Sequence, residues 1–275
     1  MKSFVCAAAV FAMALFAAPA LRAESARQGL YLDQNVQAAC NPIGAQLGTK
    51  LFYRLPLSEK KGILWESTKV DAGMTNTLSP AFDLVGAFLD IEPIAFFDLG
   101  LKAQFAGYFD SLGYGFRELD GYRSGFDSSA LDDIDGRNAS GCILSAAPTL
   151  QFAYGKLAFS DTLNLNYFNV DGGQGYFYEI IGNCPLAKRD LELENDAYLL
   201  WTLSPGLMLG LNESLLAVPC SGYRSQTLKT VGVINRPLSE RLSFYAALLC
   251  GFYLEDRYLR YEPRAAGMSG LAYSF

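Results

Sequence analysis

Between residues 97 and 105 the chain alternates without a slip. Phe97, Leu99, Leu101, Ala103 and Phe105 occupy one phase, and Asp98, Gly100, Lys102 and Gln104 the other. A β-strand sends successive side chains to opposite faces, so this segment is a strand with one apolar and one polar face. Residues 157–167 repeat the pattern. Leu157, Phe159, Leu163, Leu165 and Tyr167 stand opposite Ala158, Ser160, Thr162, Asn164 and Asn166, and only Asp161 breaks the apolar phase. Residues 242–254 follow it more loosely, with Leu242, Phe244, Ala246, Leu248, Cys250, Phe252 and Leu254 opposite a mixed phase. In the first two segments the polar phase is too wet for a sandwich core, and the apolar phase is too continuous for a surface in water. A closed wall with lipid outside and water inside satisfies both.

Segments of this kind predict strands near 28–40, 44–56, 62–76, 81–92, 95–109, 143–155, 157–168, 190–203, 207–219, 225–235, 241–254 and 264–275. These make an all-β, antiparallel up-and-down transmembrane barrel of about 12 strands; 10 is the alternative if 28–40 and 225–235 are not strands. An even count leaves both termini at one end. The connections starting near Pro56, Pro93, Gly155, Ser204 and Arg236 are then short turns. Those at 41–43, 77–80, 110–142, 169–189, 220–224 and 255–263 are loops at the opposite, extracellular end, two of them long. Proline cannot donate to a ladder, and nearly all the prolines fall at or beside these boundaries. Pro148, in the middle of the sixth strand, does not, which predicts a bulge there or a misplaced strand.

The first 23 residues read as a cleaved secretory signal: Lys2, an apolar run from Phe4 to Phe16, then small residues at Ala18–Ala20 and Leu21–Ala23. One domain, 24–275, remains. Removing 1–23 takes away Lys2 and Arg22 and no acid, so the net charge moves from −6 to −8. That excludes nucleic acid as a partner, because phosphates need a basic surface. No later segment has the ~18 uninterrupted apolar residues of a spanning helix.

The chain ends Gly270-Leu271-Ala272-Tyr273-Ser274-Phe275. This ending resembles the closing-strand signal of bacterial outer-membrane β-barrel proteins, with Gly270, Tyr273 and Phe275 in its characteristic places and Met268 departing from it. The resemblance implies a bacterial outer-membrane location, with outer-membrane lipid around the wall. It also implies that the barrel-assembly machinery reads Gly270, Tyr273 and Phe275. It points to no functional subfamily.

The sequence contains no histidine, which removes the usual general base at neutral pH and the usual partner of a serine nucleophile. No catalytic, cofactor or metal site is assigned, and the chain is not expected to be an enzyme. Asp132, Asp133 and Asp135 lack the spacing of a calcium loop, and the cysteine spacings match no zinc pattern. Cys40, Cys142, Cys184 and Cys220 fall at or near the loop end, where two disulfides are expected to pin the long loops; Cys250 lies on the lipid-facing phase. The acidic connection 110–142, with Tyr114, Phe116, Tyr122 and Phe126, reads as a hydrated surface loop, or as a constriction folded into the lumen. Phe52, Tyr53, Tyr167, Phe252 and Tyr273 are candidates for interfacial aromatic girdles. Asp98, Lys102, Gln104, Thr162, Asn164, Asn166, Glu192, Glu194, Asp196 and Lys229 fall on the inward phase. A lumen richer in carboxylates than in lysines favours small polar or cationic solutes. The expected function is therefore a narrow, porin-like channel for passive diffusion. The alternative is a closed barrel whose long loops bind a partner.

Overall fold

The computed structural model describes residues 27–58, 60, 62, 64–110, 115–126, 128–171 and 175–275. The expected signal sequence, Tyr114 and part of the long loops lie outside the described residues. In chain order the elements are β1 (Gly29–Cys40), β2 (Gly44–Pro56), β3 (Lys69–Leu78), β4 (Phe82–Ile94), β5 (Phe97–Tyr108), β6 (Arg117–Leu119) and α1 (Ser128–Asp132). They continue with β7 (Ala139–Tyr154), β8 (Leu157–Asp171), β9 (Tyr176–Glu179), β10 (Cys184–Ala187), β11 (Arg189–Ser204), β12 (Leu207–Val218), β13 (Tyr223–Pro237), β14 (Leu242–Glu255) and β15 (Pro263–Ser274). All but β6, β9 and β10 form one closed antiparallel barrel of 12 strands, each paired to the next in sequence among them, with β15 returning to β1. Tyr31 lies opposite Ser274 and Cys40 opposite Ala265, and the Phe275 N–H donates to the Leu30 carbonyl at 3.0 Å. The terminal motif is thus the seam of the barrel. Gly270 has a packing reason as well: the Tyr245 ring fills the space its Cβ would need, and the Tyr245 hydroxyl donates to Asp33 at 2.6 Å.

The ten-strand alternative falls, since β1 and β13 are full wall strands. The third strand begins at Lys69 instead of residue 62. Residues 57–68 form a long connection at the turn end because local bonds compete with the ladder. Glu66 accepts the Gly62 N–H, the Trp65 N–H reaches Gly62, and Thr68 Oγ1 donates to Trp65. The other turns are short; Gly155 and Gly206, at φ 60° and 74°, each close a two-residue hairpin. Pro148 sits inside β7 without a bulge. Its register against β5 is continuous, while pairing with β8 lapses at 147–148 and resumes unchanged at Thr149 opposite Thr162. The missing N–H is absorbed by this local lapse of pairing with β8.

The wall is dressed in the reverse of a water-soluble barrel. Outward residues such as Leu101, Phe105, Leu163, Leu211 and Leu215 are exposed, Phe105 at 56 %. Tyr53, Tyr167, Phe252 and Tyr273 share that face. Phe52 does not: it points inward with Lys50 and Arg54, stacked on Tyr31 at 5.4 Å and edge-on to Phe88. The outer face also carries polar pairs: Asn195 Nδ2 donates to Asp161 at 2.6 Å across β8 and β11, and Gln226 Nε2 donates to Glu213 across β12 and β13.

The long loops hold structure the alternation did not announce. β6, β9 and β10 form a three-stranded sheet, ordered β10–β9–β6, and with α1 they make a cap inside the loop end of the barrel.

Candidate functional site: a polar lumen under a folded cap

Charged side chains in the lumen near the turn end are held by partners on adjacent strands or one strand beyond. Arg54 on β2 makes two bonds to Asp71 on β3, at 2.8 and 2.6 Å, with its guanidinium 4.5 Å from the Tyr31 ring. Such planar two-point pairs are among the stronger charge-assisted contacts. Lys69 pairs with Glu92 at 3.2 Å and Lys50 with Asp90 at 3.9 Å. Asp98, Lys102 and Gln104 continue this wall on β5, in the same phase as Asp90 and Phe88 on β4.

The opposite wall has a different character. On β11, Asp190, Glu192, Glu194 and Asp196 follow one another on the inward phase. Their partners are mostly neutral. Asn166 donates to Glu192 at 3.0 Å, Ser214 to Glu194 at 3.3 Å and Asn212 to Asp196 at 3.5 Å. Lys229 and Arg264 project from β13 and β15, Lys229 almost fully buried. Thr162 and Thr149 share a hydroxyl–hydroxyl contact at 2.9 Å beside Asn164.

Toward the loop end the same strands change dressing. On β8 the inward series Ser160, Thr162, Asn164, Asn166 gives way to Phe168 and Val170. On β12, Asn212 and Ser214 give way to Leu216 and Val218; on β5, Gln104 gives way to Ala106 and Tyr108. Against this apolar rim the cap places Phe116, Leu119, Phe126, Leu131, Phe177 and Leu186. Phe116 stacks on Phe177 at 4.8 Å, and Phe126 meets Tyr258 edge-on at 4.8 Å. The Tyr258 hydroxyl, on the loop joining β14 to β15, donates to the Arg123 and Ser124 carbonyls at 3.2 Å. Each fully buried large side chain of this kind contributes about 1.5–3 kcal/mol, so the cap is a folded unit and no hydrated loop.

Between cap and wall lies a dry polar spot. Glu179, which ends β9, is 1 % exposed, and Cys184, which begins β10, is wholly buried beside Glu192. The Cys184 thiol donates to Glu192 Oε2 at 3.4 Å, and the Gly182 N–H donates to Glu179. Burial, and then the Glu192 charge, push the Glu179 carboxyl up to about 8. Burial, and then Glu192 and Glu179, push the Cys184 thiol well above its ordinary range.

No protein family matches this sequence, and no curated protein does. Among solved structures the barrel is similar to the NanC porin, at 10 % identity over 89 % of this chain and 100 % of that one, with a TM-score of 0.43. It is similar also to the β domain of the Bordetella autotransporter BrkA (12 % identity, 92 % and 100 % covered, TM-score 0.46). A third is the translocator domain of the autotransporter NalP from Neisseria meningitidis (12 %, 100 % and 95 %, 0.42).

The inward candidates Asp98, Lys102, Gln104, Asn164, Asn166, Glu192, Glu194, Asp196 and Lys229 all lie on the lumen phase of the pairing. Of the four loop-end cysteines, Cys142 is a free thiol exposed on the outer phase of β7 and Cys184 a free thiol buried under the cap, so the structure keeps these two apart. Of the loop aromatics, Phe116 and Phe126 fold into the mouth and Tyr122 stays exposed, so the constriction describes this loop better than the hydrated surface does. Glu179 was not among the sequence candidates. Its signal was the run Tyr176-Phe177-Tyr178-Glu179-Ile180-Ile181, too apolar for a solvated loop.

Proposed function

We propose that this chain is a bacterial outer-membrane barrel acting as a narrow, capped channel for small polar or cationic solutes. Its apolar outer wall lies in lipid, its turn end faces the periplasm, and its cap faces outward. The membrane placement is supported by the reversed dressing of the wall, since a large exposed apolar band is unfavourable in water and suited to lipid. The channel reading rests on one observation: beneath the cap, the lumen is lined by polar side chains whose carboxylates outnumber their cationic partners, with the acids of β11 facing mostly neutral donors. A cation is favoured on such a path. The folded cap sets how often and how widely that path opens. On this reading the assembly machinery uses Gly270, Tyr273 and Phe275, the seam that closes the barrel.

A second reading, a closed barrel that presents its cap to a partner, draws on the cap's own apolar core. Planar-bilayer conductance separates the two. Tyr108 and Ala139 are cross-strand partners, so a tight turn can replace residues 109–138. The native protein is expected to give small or infrequent steps, and the shortened protein large, stable, cation-preferring ones. A shortened barrel that folds and stays silent would remove the channel and leave the closed barrel.

A further inference from the structure

Three ligating groups converge where the cap meets the wall. The Glu179 and Glu192 carboxylates and the Cys184 thiol bring ligand atoms within 4.8 Å of one another. They are 1 %, 4 % and 0 % exposed. Among the described residues, no Lys or Arg forms an ion pair with either carboxylate. Two buried carboxylates without a positive partner are strongly unfavourable as a charged pair. Two further observations point to something that belongs between them. Glu179 Oε1 is buried with no hydrogen-bond partner. The Tyr108 hydroxyl, on β5 and 5 % exposed, has none either, and it lies within electrostatic reach of Glu179, Glu192 and Cys184. Buried polar atoms are nearly always satisfied, so two orphans beside one cluster mark a missing partner.

We infer that Glu179, Cys184 and Glu192 form a binding site for a borderline divalent metal ion, with Zn²⁺ the best match, that fastens the cap to the barrel wall. The donor set selects the ion. Ca²⁺ and Mg²⁺ take oxygen ligands almost exclusively, whereas a thiolate with two carboxylates suits Zn²⁺ and its neighbours. Tetrahedral ligands around Zn²⁺ stand about 3.5 Å apart. Cys184 Sγ and Glu192 Oε2 are already 3.4 Å apart, and all three ligand atoms lie within 4.8 Å of one another, so a small inward shift of Glu179 completes three positions. On binding, the Cys184 thiol gives up its proton to the medium and both carboxylates bind ionised. One ion would then join β9, β10 and β11. Gly182 is fitted to this spot: a Cβ there would fall against the Glu192 carboxylate and the Cys184 sulfur. The inference concerns what holds the cap down, and it stands whether or not the lumen conducts.

The test uses the full folded chain in detergent, stripped with a chelator and titrated with Co²⁺, then Zn²⁺. One Co²⁺ per chain is expected, with a thiolate-to-metal absorption band in the near ultraviolet that Zn²⁺ bleaches. The band should persist when Cys142, Cys220 and Cys250 are all changed to Ser, and vanish in Cys184→Ser. Glu179→Gln keeps the shape and removes a buried charge, so it should fold as well as the native chain while binding roughly tenfold or more weakly. Zn²⁺ should also slow proteolysis of the cap in the native chain and leave Glu179→Gln unchanged. Folded native protein without the band, a band surviving Cys184→Ser, or native affinity in Glu179→Gln would each overturn the site.

Discussion

The two ends of the lumen are held by different forces, although the same strands build both. At the turn end, β2, β3 and β4 are tied together by Arg54–Asp71, Lys69–Glu92 and Lys50–Asp90. At the loop end, β4, β5, β8 and β12 carry Phe82, Tyr108, Val170 and Val218 against the aromatic side chains of the cap. Where water remains, inward side chains must be polar and partnered. Where the cap excludes it, they must be apolar and close-packed. A wall strand can therefore change its inner dressing part-way up without changing its outer one.

The largest effect should come from emptying the mouth. Phe177 is 2 % exposed and stacks on Phe116, so Phe177→Ala is expected to destabilise the cap by ~3–5 kcal/mol. Limited proteolysis should then cut the cap while the barrel stays intact. A cap as resistant as the native one would mean that the mouth is not held by packing.

Next comes the contrast between the two faces of one strand. Leu101 faces outward and Lys102 inward on β5. Leu101→Arg should cost ~2–4 kcal/mol in a lipid-exposed wall, while Lys102→Ala, with no ion pair among the described residues, should leave refolding into lipid nearly unchanged. Equal behaviour of the two variants would reverse the assigned faces.

Smaller again is the loss of one tie at the turn end. Asp71→Asn leaves the Arg54 guanidinium on the Tyr31 ring but removes its charged partner, at an expected ~1–3 kcal/mol. Salt sharpens the comparison between the ends. Raising it should shrink the Asp71→Asn effect by screening and leave that of Phe177→Ala as large or larger.

The barrel was legible because each wall strand meets unlike surroundings on its two faces, so Leu101 and Lys102 announce their sides in the sequence. Phase failed where neighbours were alike. Leu51, Phe52 and Tyr53 are all apolar, and it is the inward pairing of Lys50 and Arg54 on either side, with the Tyr31 and Phe88 rings, that turns Phe52 inward. The cap was not legible for a different reason. Its strands are three or four residues long, too short to show a period, and their apolar faces are matched by inner-wall residues distant in sequence. Val170 and Phe168 carried a trace of it, since an apolar inward phase above Asn166 needs something to cover it. The meeting of Glu179, Cys184 and Glu192 depends on the hairpin turn at 180–183 and on the β11 phase together, and neither alone places them.

The smallest expected change in stability is also the one that bears most directly on conduction. Glu194 accepts from Ser214 Oγ at 3.3 Å, and the amide oxygen introduced by Glu194→Gln can accept the same bond. Folding should therefore stay within ~0.5 kcal/mol of native. The charge, however, is gone from the middle of the β11 series, between Glu192 and Asp196. In the shortened, open barrel the cation preference should fall in Glu194→Gln and rise in Lys102→Ala, because each changes the lumen by one charge of opposite sign. Reversal potentials under a salt gradient read this without regard to how many channels insert. If Lys102→Ala shifts the potential and Glu194→Gln does not, solutes pass along the β2–β5 wall, and the acids of β11 serve the cap alone.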